Sequence, residues 1–177
     1  MNMADRRLIR AALGCALVLT AGFASGELRP ARADALGINV YGLSYHPDRD
    51  KARQKDFREL NPGLGLHYVF SESDRDLWFA GAAFFKDSSG NWAKNAWAGY
   101  QYKFSDRWHL GAGGGPVQSD SYNAGRPFVV ILPMLSYRIE GAAFNLTYVP
   151  RTASNQTAVF GFYLTVFPGE PAARSPK

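Results

Sequence analysis

From Leu36 onward, apolar runs alternate along the chain with short polar segments. Eight such runs predict eight β-strands, with bounds at 36–46, 62–71, 75–86, 91–104, 107–117, 127–138, 142–149 and 157–167. A transmembrane strand needs only about 9–11 residues, and single-chain bacterial barrels have an even number of strands. The pattern therefore predicts an all-β fold, an eight-stranded antiparallel transmembrane β-barrel.

The connections between the runs alternate in length. Those after the odd-numbered runs are the longer ones and lie at 47–61, 87–90, 118–126 and 150–156, whereas those after the even-numbered runs are tight turns at 72–74, 105–106 and 139–141. Outer-membrane barrels have short periplasmic turns and longer outer loops. This alternation predicts that both termini lie in the periplasm and that the odd strands run outward.

Three of the runs are apolar on both faces of the predicted strand: 77–85, 129–132 and 160–164. The first carries no charge, and the polar triplet Lys86-Asp87-Ser88 follows it and leads into a turn. This change indicates that the chain leaves an apolar medium at that point. Apolarity on the inner face predicts a bore that stays dry and accepts an apolar ligand. A bore filled by its own side chains is the alternative.

Residues 1–35 have the pattern of a secretory signal peptide. Arg6, Arg7 and Arg10 precede an apolar core at 11–24, and small residues at 33–35 offer a cleavage site, with 22–24 and 24–26 as alternatives. The predicted organisation is thus a signal peptide (1–35), a barrel (36–167) and a polar tail (168–177). The one cysteine, Cys15, lies in the leader, so the mature chain would have no disulfide and no thiolate.

Length and charge exclude other classes of protein. At 177 residues the chain is long enough for one domain, and no window of 18 apolar residues predicts a membrane-spanning helix. The net charge of +5 lies partly in the leader and tail. No basic face with interleaved aromatic residues is evident, so no nucleic-acid partner is predicted.

The candidate catalytic residues are His46, Asp87 and Ser88. His46 ends the first run and the other two end the third, so the alternation of the strands brings all three to one rim. An imidazole, a hydroxyl and a carboxylate are the groups that acyl transfer requires. Neighbouring strand residues point to opposite faces, so a linear triad does not follow. A solvated loop histidine is the alternative.

The remaining histidines and the first long loop suggest less. His67 and His109 are expected to fill the bore or to belong to an interfacial girdle rather than to bind a ligand, and no metal-ligand spacing occurs, so no metal is predicted. The first long loop carries a basic cluster: Arg49, Lys51, Arg53, Lys55 and Arg58. It is either a solvated face or a surface attracted to lipid phosphates.

Three prolines lie at positions that weaken strand pairing. Pro62 begins the second run, Pro133 interrupts the sixth and Pro150 closes the seventh. A proline removes a ladder hydrogen bond, so gaps between strands near the outer end would admit a lipid chain sideways. For Pro62 and Pro150, a simple strand end explains the residue equally well.

Several of these residues together resemble the outer-membrane lipid A palmitoyltransferase family (PagP). The resemblance covers 40–167 and rests on Tyr45-His46, Asn61-Pro62-Gly63, Gly65-Leu66, Ala83-Phe84-Phe85-Lys86-Asp87-Ser88, Trp92, Ala98-Gly99-Tyr100, His109-Leu110-Gly111, Leu132-Pro133 and Thr147-Tyr148-Val149-Pro150. The FKDS block is its most specific part.

This resemblance implies an enzyme of the outer membrane that moves an acyl chain from a phospholipid donor to lipid A, without a cofactor and as a monomer. The family's catalytic residues fall on His46, Asp87 and Ser88. Its strand-gap prolines match Pro62, Pro133 and Pro150, and its acyl chain lies in the bore. A lipid ester hydrolase using the same site, and a structural or adhesion barrel without activity, are the alternatives.

The sequence departs from the family pattern in three places. Cleavage after Ala35 would leave no room for the family's helix ahead of the first strand. Tyr41 replaces a proline of the first strand, which puts one lateral gap in doubt. Gln101 replaces the glycine at the floor of the acyl pocket, which predicts an acyl chain shorter than palmitoyl.

Overall fold

The computed structural model describes residues 35–151 and 157–168, which form a closed antiparallel β-barrel of eight strands. The strands are β1 (Ala35–Tyr45), β2 (Leu60–Glu72), β3 (Asp76–Lys86), β4 (Trp92–Lys103), β5 (Trp108–Ser119), β6 (Phe128–Ile139), β7 (Ala142–Val149) and β8 (Val159–Val166). Each strand pairs with the next, and β8 pairs with β1. The predicted fold class is confirmed, and each strand end lies within two residues of its predicted position.

Two predicted segments fall largely outside this description. The signal peptide (1–35), with Cys15, and the polar tail (168–177) are described only at Ala35 and Pro168. No helix within 35–151 or 157–168 has the length and apolarity to cross a bilayer.

The outer surface of the barrel is a belt of exposed apolar side chains. On β1, Leu36, Ile38 and Val40 are exposed, whereas Gly37 and Asn39 between them are buried. The same alternation occurs on β2, where Leu64 and Leu66 are exposed beside buried His67. Apolar positions facing outward and polar ones facing inward are typical of a barrel whose solvent is lipid.

The two ends of the barrel differ in the length of their connections, as predicted. Tight turns follow β2, β4 and β6, and longer loops follow β1, β3, β5 and β7. We call the end with the longer loops the site rim. The sequence did not predict the short helix α1 (Arg49–Gln54) in the first loop, which Asp48 caps by accepting a hydrogen bond from the backbone N–H of Lys51.

A β-bulge at Gly42 reverses the orientation of the last part of β1. In the ladder with β8, Tyr41 pairs with Tyr163 and Leu43 with Phe162, so Gly42 is an extra residue of β1. Odd-numbered residues point into the bore before the bulge, but Leu43 and Tyr45 after it are exposed on the outside. One added residue therefore turns the even-numbered side chains of this strand end inward.

The ladder between β6 and β7 is incomplete. It runs from Ile139 opposite Ala142 to Met134 opposite Thr147 and stops there. Among the described residues, the half of β6 from Phe128 to Pro133 pairs with β5 only. Because Pro133 has no N–H to donate, the ladder ends where the proline begins.

Aromatic side chains cross the middle of the bore. The ring of Phe79 is fully buried, lies 5.0 Å from the His67 ring and 5.3 Å from the Trp97 ring, and packs in the same cluster as Tyr163. Tyr163 in turn stacks on Tyr41 at 4.9 Å. We call Phe79, Trp97 and Tyr163 the aromatic layer.

The half of the bore beyond this layer, away from the site rim, is filled by apolar side chains and by a hydrogen-bonded polar network. Gln101 donates to Ser136 (2.6 Å) and Ser136 to Asn145 (2.7 Å), Asn145 donates to Thr165 (2.9 Å), and Thr165 donates to Asn39 (2.7 Å). The cavity beside this network is about 10 Å³, room for one water molecule. The prediction of an open apolar bore is therefore wrong for this half, where the chain's own side chains fill it.

Candidate active site

His46, Asp87 and Ser88 all lie at the site rim. His46 follows β1, and the other two residues begin the turn that follows β3. All three side chains are buried even though they lie in connections rather than in strands. The predicted meeting of the three residues at one rim is therefore what the structure has.

His46 is fully buried, with an exposed fraction of 0%. The ring of Phe57, from the loop after α1, lies 5.1 Å away. Neither ring nitrogen of His46 has a hydrogen-bond partner among the described residues. Burial lowers the pKa of His46; the charge of Glu59 raises this pKa and that of Arg49 lowers it. A neutral imidazole with a free nitrogen is able to accept a proton.

Ser88 is approached by Ser44 rather than by His46. The two hydroxyl oxygens lie 3.5 Å apart, and Ser44 donates a hydrogen bond of 2.6 Å to the amide oxygen of Asn61. The backbone N–H of Arg58 donates to the carbonyl of Ser88 at 2.7 Å. These contacts fix Ser88 against β1, β2 and the first loop, so its hydroxyl is held at the same rim as the imidazole.

Both carboxylate oxygens of Asp87 accept hydrogen bonds from neighbouring residues. Oδ1 accepts hydrogen bonds from the backbone N–H groups of Ser89 (2.9 Å) and Asn91 (3.0 Å), and Oδ2 accepts one from the hydroxyl of Ser119 (2.5 Å). Gly90, with φ of +84°, completes the turn between them. Asp87 thus holds the turn that carries Ser88 and makes no hydrogen bond to His46.

The arrangement agrees with the expectation that these residues do not form a linear triad. His46 and Ser88 lie buried at the same rim, and the carboxylate of Asp87 holds the turn that carries Ser88 through its hydrogen bonds to backbone N–H groups. Such a set suits proton removal from an incoming hydroxyl group.

Sequence reasoning missed three residues of the site: Ser44, Asn61 and Ser119. Ser44 lies two positions before His46, so both share one face of the strand end, and this spacing is a signal that the sequence contained. Ser119 lies at the end of β5, opposite Ala93 at the start of β4. Nothing in the sequence indicates that its hydroxyl reaches Asp87, because the contact depends on the registers of two successive strand pairs, β3 with β4 and β4 with β5.

Between the aromatic layer and the site rim, several inward-facing side chains of the bore are partly exposed. They include Val117, Val130, Leu132, Val149 and Val159, which share a face with buried residues of their strands. Their side chains are apolar. The part of the bore nearest the site therefore has an accessible apolar wall.

The other predicted access and pocket residues are placed as follows. Pro133 lies where the β6–β7 ladder stops, and Pro150 directly follows β7. Pro62 lies beside the Gly42 bulge, and the ladder resumes beyond it through the hydrogen bond from the N–H of Ser44 to the carbonyl of Glu59. Gln101 is buried in the bore beyond the aromatic layer.

The remaining histidines lie in the bore, as expected. His67 stacks in the aromatic cluster, and His109 is buried at the end of the barrel opposite the site rim. Within the part of the chain that the structure describes, no three His, Cys, Asp or Glu residues are grouped so that they could bind a metal ion.

Comparisons with known proteins give one family. The model of the family described as "Antimicrobial peptide resistance and lipid A acylation protein PagP" matches residues 32–164. A curated relative, the Lipid A acyltransferase PagP of Musicola paradisiaca (strain Ech703), is 28% identical over 134 residues, which cover 71% of this chain and 69% of that protein.

Two solved structures of Ail, the attachment invasion locus protein of Yersinia pestis, also match. Each covers 76% of this chain and 95% of its own, at 11% identity with a TM-score of 0.38 and at 13% identity with a TM-score of 0.35. The second is a complex with the heparin analogue sucrose octasulfate.

Proposed function

Since this chain belongs to the PagP family of lipid A acylation proteins, we propose that it transfers a fatty acyl chain from a phospholipid to lipid A in the outer membrane. The observation that supports this most is the state of His46. It is a fully buried imidazole with two unpartnered nitrogens, at the same rim as Ser88 and Asp87. With no described side chain bonded to either nitrogen, the imidazole is available to accept a proton from a substrate hydroxyl.

In the proposed reaction, His46 acts as the general base. It accepts the proton of a lipid A hydroxyl, whose oxygen forms the new ester bond with the acyl carbon of the phospholipid. The ester bond to the glycerol oxygen breaks, and His46 returns the proton to that oxygen. Ser88 donates a hydrogen bond to the reacting oxygens, and Asp87 holds the turn that positions Ser88.

The phospholipid's acyl chain would occupy the part of the bore between the site rim and the aromatic layer. The accessible apolar wall of that part supports this placement, and the unpaired half of β6 next to Pro133 and Pro150 is the lateral opening through which a chain would enter. Pro62 would contribute less, because the β1–β2 ladder resumes immediately beyond it.

The acyl chain would be shorter than palmitoyl. A methyl group added to Gly99 would lie 2.4 Å from the ring tip of Phe79, and Gly99 is one inward-facing position nearer the site rim than Gln101. An incoming chain would therefore meet Phe79 before it reached Gln101. We propose that the aromatic layer ends the acyl space and that Gln101, clamped by Ser136, supports that layer from the far side.

Mass spectrometry of lipid A from cells with and without the gene tests this function. We expect an added acyl group shorter than C16 with the wild-type chain, and none with His46→Ala. Removal of a side chain at the rim should leave the barrel folded. Heat-modifiable gel mobility checks that His46→Ala is folded. His109→Gln, at the opposite end, is the matched control and should acylate normally.

The other outcomes identify the alternatives. Release of free fatty acid with unchanged lipid A would indicate a lipid ester hydrolase. Identical lipid A and no fatty acid release in every strain would indicate a structural or adhesion barrel.

A further inference from the structure

A pocket of about 370 Å³ opens beside α1 at the site rim, and nothing described so far uses it. Its walls are Arg49, Ala52, Arg53, Asp56, Phe57 and Glu59. We propose that this α1 pocket binds the phosphorylated sugar of the acceptor, with Arg53 on a phosphate group. The inference rests on the proposed function, whose acceptor, lipid A, is a phosphorylated glucosamine disaccharide.

The pocket adjoins the candidate base. Phe57 is one of its walls, and the ring of Phe57 packs against that of His46 at 5.1 Å. The loop that forms the pocket also meets the turn of Asp87 and Ser88, because the guanidinium carbon of Arg58 lies 3.4 Å from a methyl group built on Gly90. A molecule held in the pocket is therefore next to both catalytic elements.

The charges of the pocket are not all available. Arg49 forms an ion pair with Glu59, which occupies both side chains. The guanidinium of Arg53, by contrast, is exposed and has no ion pair or hydrogen bond to any described side chain. A free guanidinium has the donor geometry for a bidentate contact with phosphate.

The remaining walls suit a sugar better than a bare phosphate ion. The carboxylate of Asp56 would repel an isolated anion, but it accepts hydrogen bonds from hydroxyl groups. The apolar ring of Phe57 offers a flat surface beside it. The pocket volume lies within the usual range for small-molecule sites, about 300–1,000 Å³. Together these groups match a ring that carries hydroxyls on one side and a phosphate on another.

Two substitutions on the same helix separate this role from a general effect of charge. Arg53→Gln removes the free guanidinium, whereas Lys51→Gln removes an equal charge from a side chain that pairs with Asp48 outside the pocket. Arg53→Lys keeps the charge but loses the bidentate geometry. All three changes are placed on a His46→Ala background for binding and on the wild-type background for kinetics.

Binding of lipid A to the full chain in detergent micelles is measured first. We expect Arg53→Gln to raise Kd for lipid A with both phosphates by about 10-fold, Arg53→Lys to raise it less, and Lys51→Gln to leave it unchanged. Dephosphorylated lipid A should bind the wild type and Arg53→Gln equally. Equal binding of phosphorylated lipid A by the wild type and Arg53→Gln overturns the proposal, whether or not the wild type transfers an acyl group.

Kinetics then identify the source of the phosphate. For transfer to lipid A, Arg53→Gln should raise KM and leave kcat nearly unchanged, and fatty acid release from phospholipid to water should not change. If Arg53→Gln slows that release as much as it slows transfer, the pocket binds the phospholipid headgroup and the proposal is wrong. A wild-type chain that binds lipid A through Arg53 but transfers nothing would refute the proposed function while leaving the pocket assigned.

Discussion

The hydroxyl of Ser119 donates a hydrogen bond of 2.5 Å to Oδ2 of Asp87, with both side chains buried. This contact ties the end of β5 to the turn after β3, two strands away. Ser119 itself accepts a hydrogen bond from the backbone N–H of Ser121, which fixes the direction of its hydroxyl. The turn that carries Ser88 is thus held by a hydrogen bond from β5 as well as by hydrogen bonds from its own backbone.

Ser119→Ala should therefore lower both activity and stability. It leaves a buried carboxylate oxygen without a donor, at a cost of about 1–3 kcal/mol. Displacement of the Ser88 turn should slow acyl transfer by about 10-fold or more. Transfer rate and the urea midpoint of heat-modifiable mobility are the measurements. Ser119→Thr retains a hydroxyl and should restore the rate; unchanged activity in Ser119→Ala would contradict this role.

The pH dependence of transfer should follow the lowered pKa of His46. Burial holds this pKa below the ordinary 6.5, so at pH 6.5 the imidazole is mostly neutral and active. The rate should decline only as the pH falls through the lowered pKa. The contribution of the neutral, buried ring to folding stability is likewise complete above pH 6.5 and is lost as the pH falls from there towards that value.

Two charged residues near His46 shift its pKa in opposite directions, so their removal should shift the pH–rate profile in opposite directions. Arg49→Gln removes a positive charge that lowers the pKa of His46, so the acid limb of the pH–rate profile should move to higher pH. Glu59→Gln removes a charge that raises it, so the limb should move to lower pH. Shifts in the same direction for both variants would argue against His46 as the titrating base.

Acyl chain length should respond to Phe79 more than to Gln101. Phe79→Leu removes ring atoms from the aromatic layer and should lengthen the transferred chain. Each added methylene that is buried contributes about 0.8 kcal/mol, roughly a fourfold preference. Gln101→Gly should change chain length little. Mass spectrometry of lipid A compares the two, and the reverse result would assign the end of the acyl space to Gln101.

The bulge at Gly42 should be needed for activity but not for folding. Gly42→Ala should be almost neutral, because no atom lies within 4 Å of an added methyl group. Deletion of Gly42 should restore regular pairing and turn Ser44 and His46 to the lipid side. We expect a heat-modifiable barrel without transferase activity. A deletion variant that still acylates lipid A would show that the bulge does not orient His46.

The sequence predicted the barrel well because its repeating pattern is local. Strand ends and alternating loops follow from the periodicity of apolar residues and from turn composition, and each strand contributes that signal independently. It predicted for the same reason that His46 and Ser88 lie at the same rim. The pairing gap at Pro133 could also be foreseen, since a missing N–H is a property of the residue itself.

What the sequence did not predict depends on contacts between strands and loops. Whether an inward-facing side chain fills the bore or leaves space depends on residues of other strands. Phe79 reaches Gly99 and Gly113 on the two following strands, and no local pattern indicates this. The contact of Ser119 with Asp87 is of the same kind. The packing of Phe57 on His46 depends on how the first loop folds back. The sequence shows that some strands are apolar on both faces, but this pattern does not distinguish an open bore from a packed one.

The hydrogen-bonded chain from Gln101 to Asn39 joins side chains of β4, β6, β7, β8 and β1. It fastens the cylinder internally at one end, independently of the backbone ladder. At the opposite end, half of β6 is therefore not paired with β7 although the barrel as a whole stays closed. We therefore expect backbone amide protons to exchange fastest in the unpaired half of β6 and slowest around Ser136 and Asn145. The rigidity of one half of the barrel thus allows a permanent gap between strands in the other half.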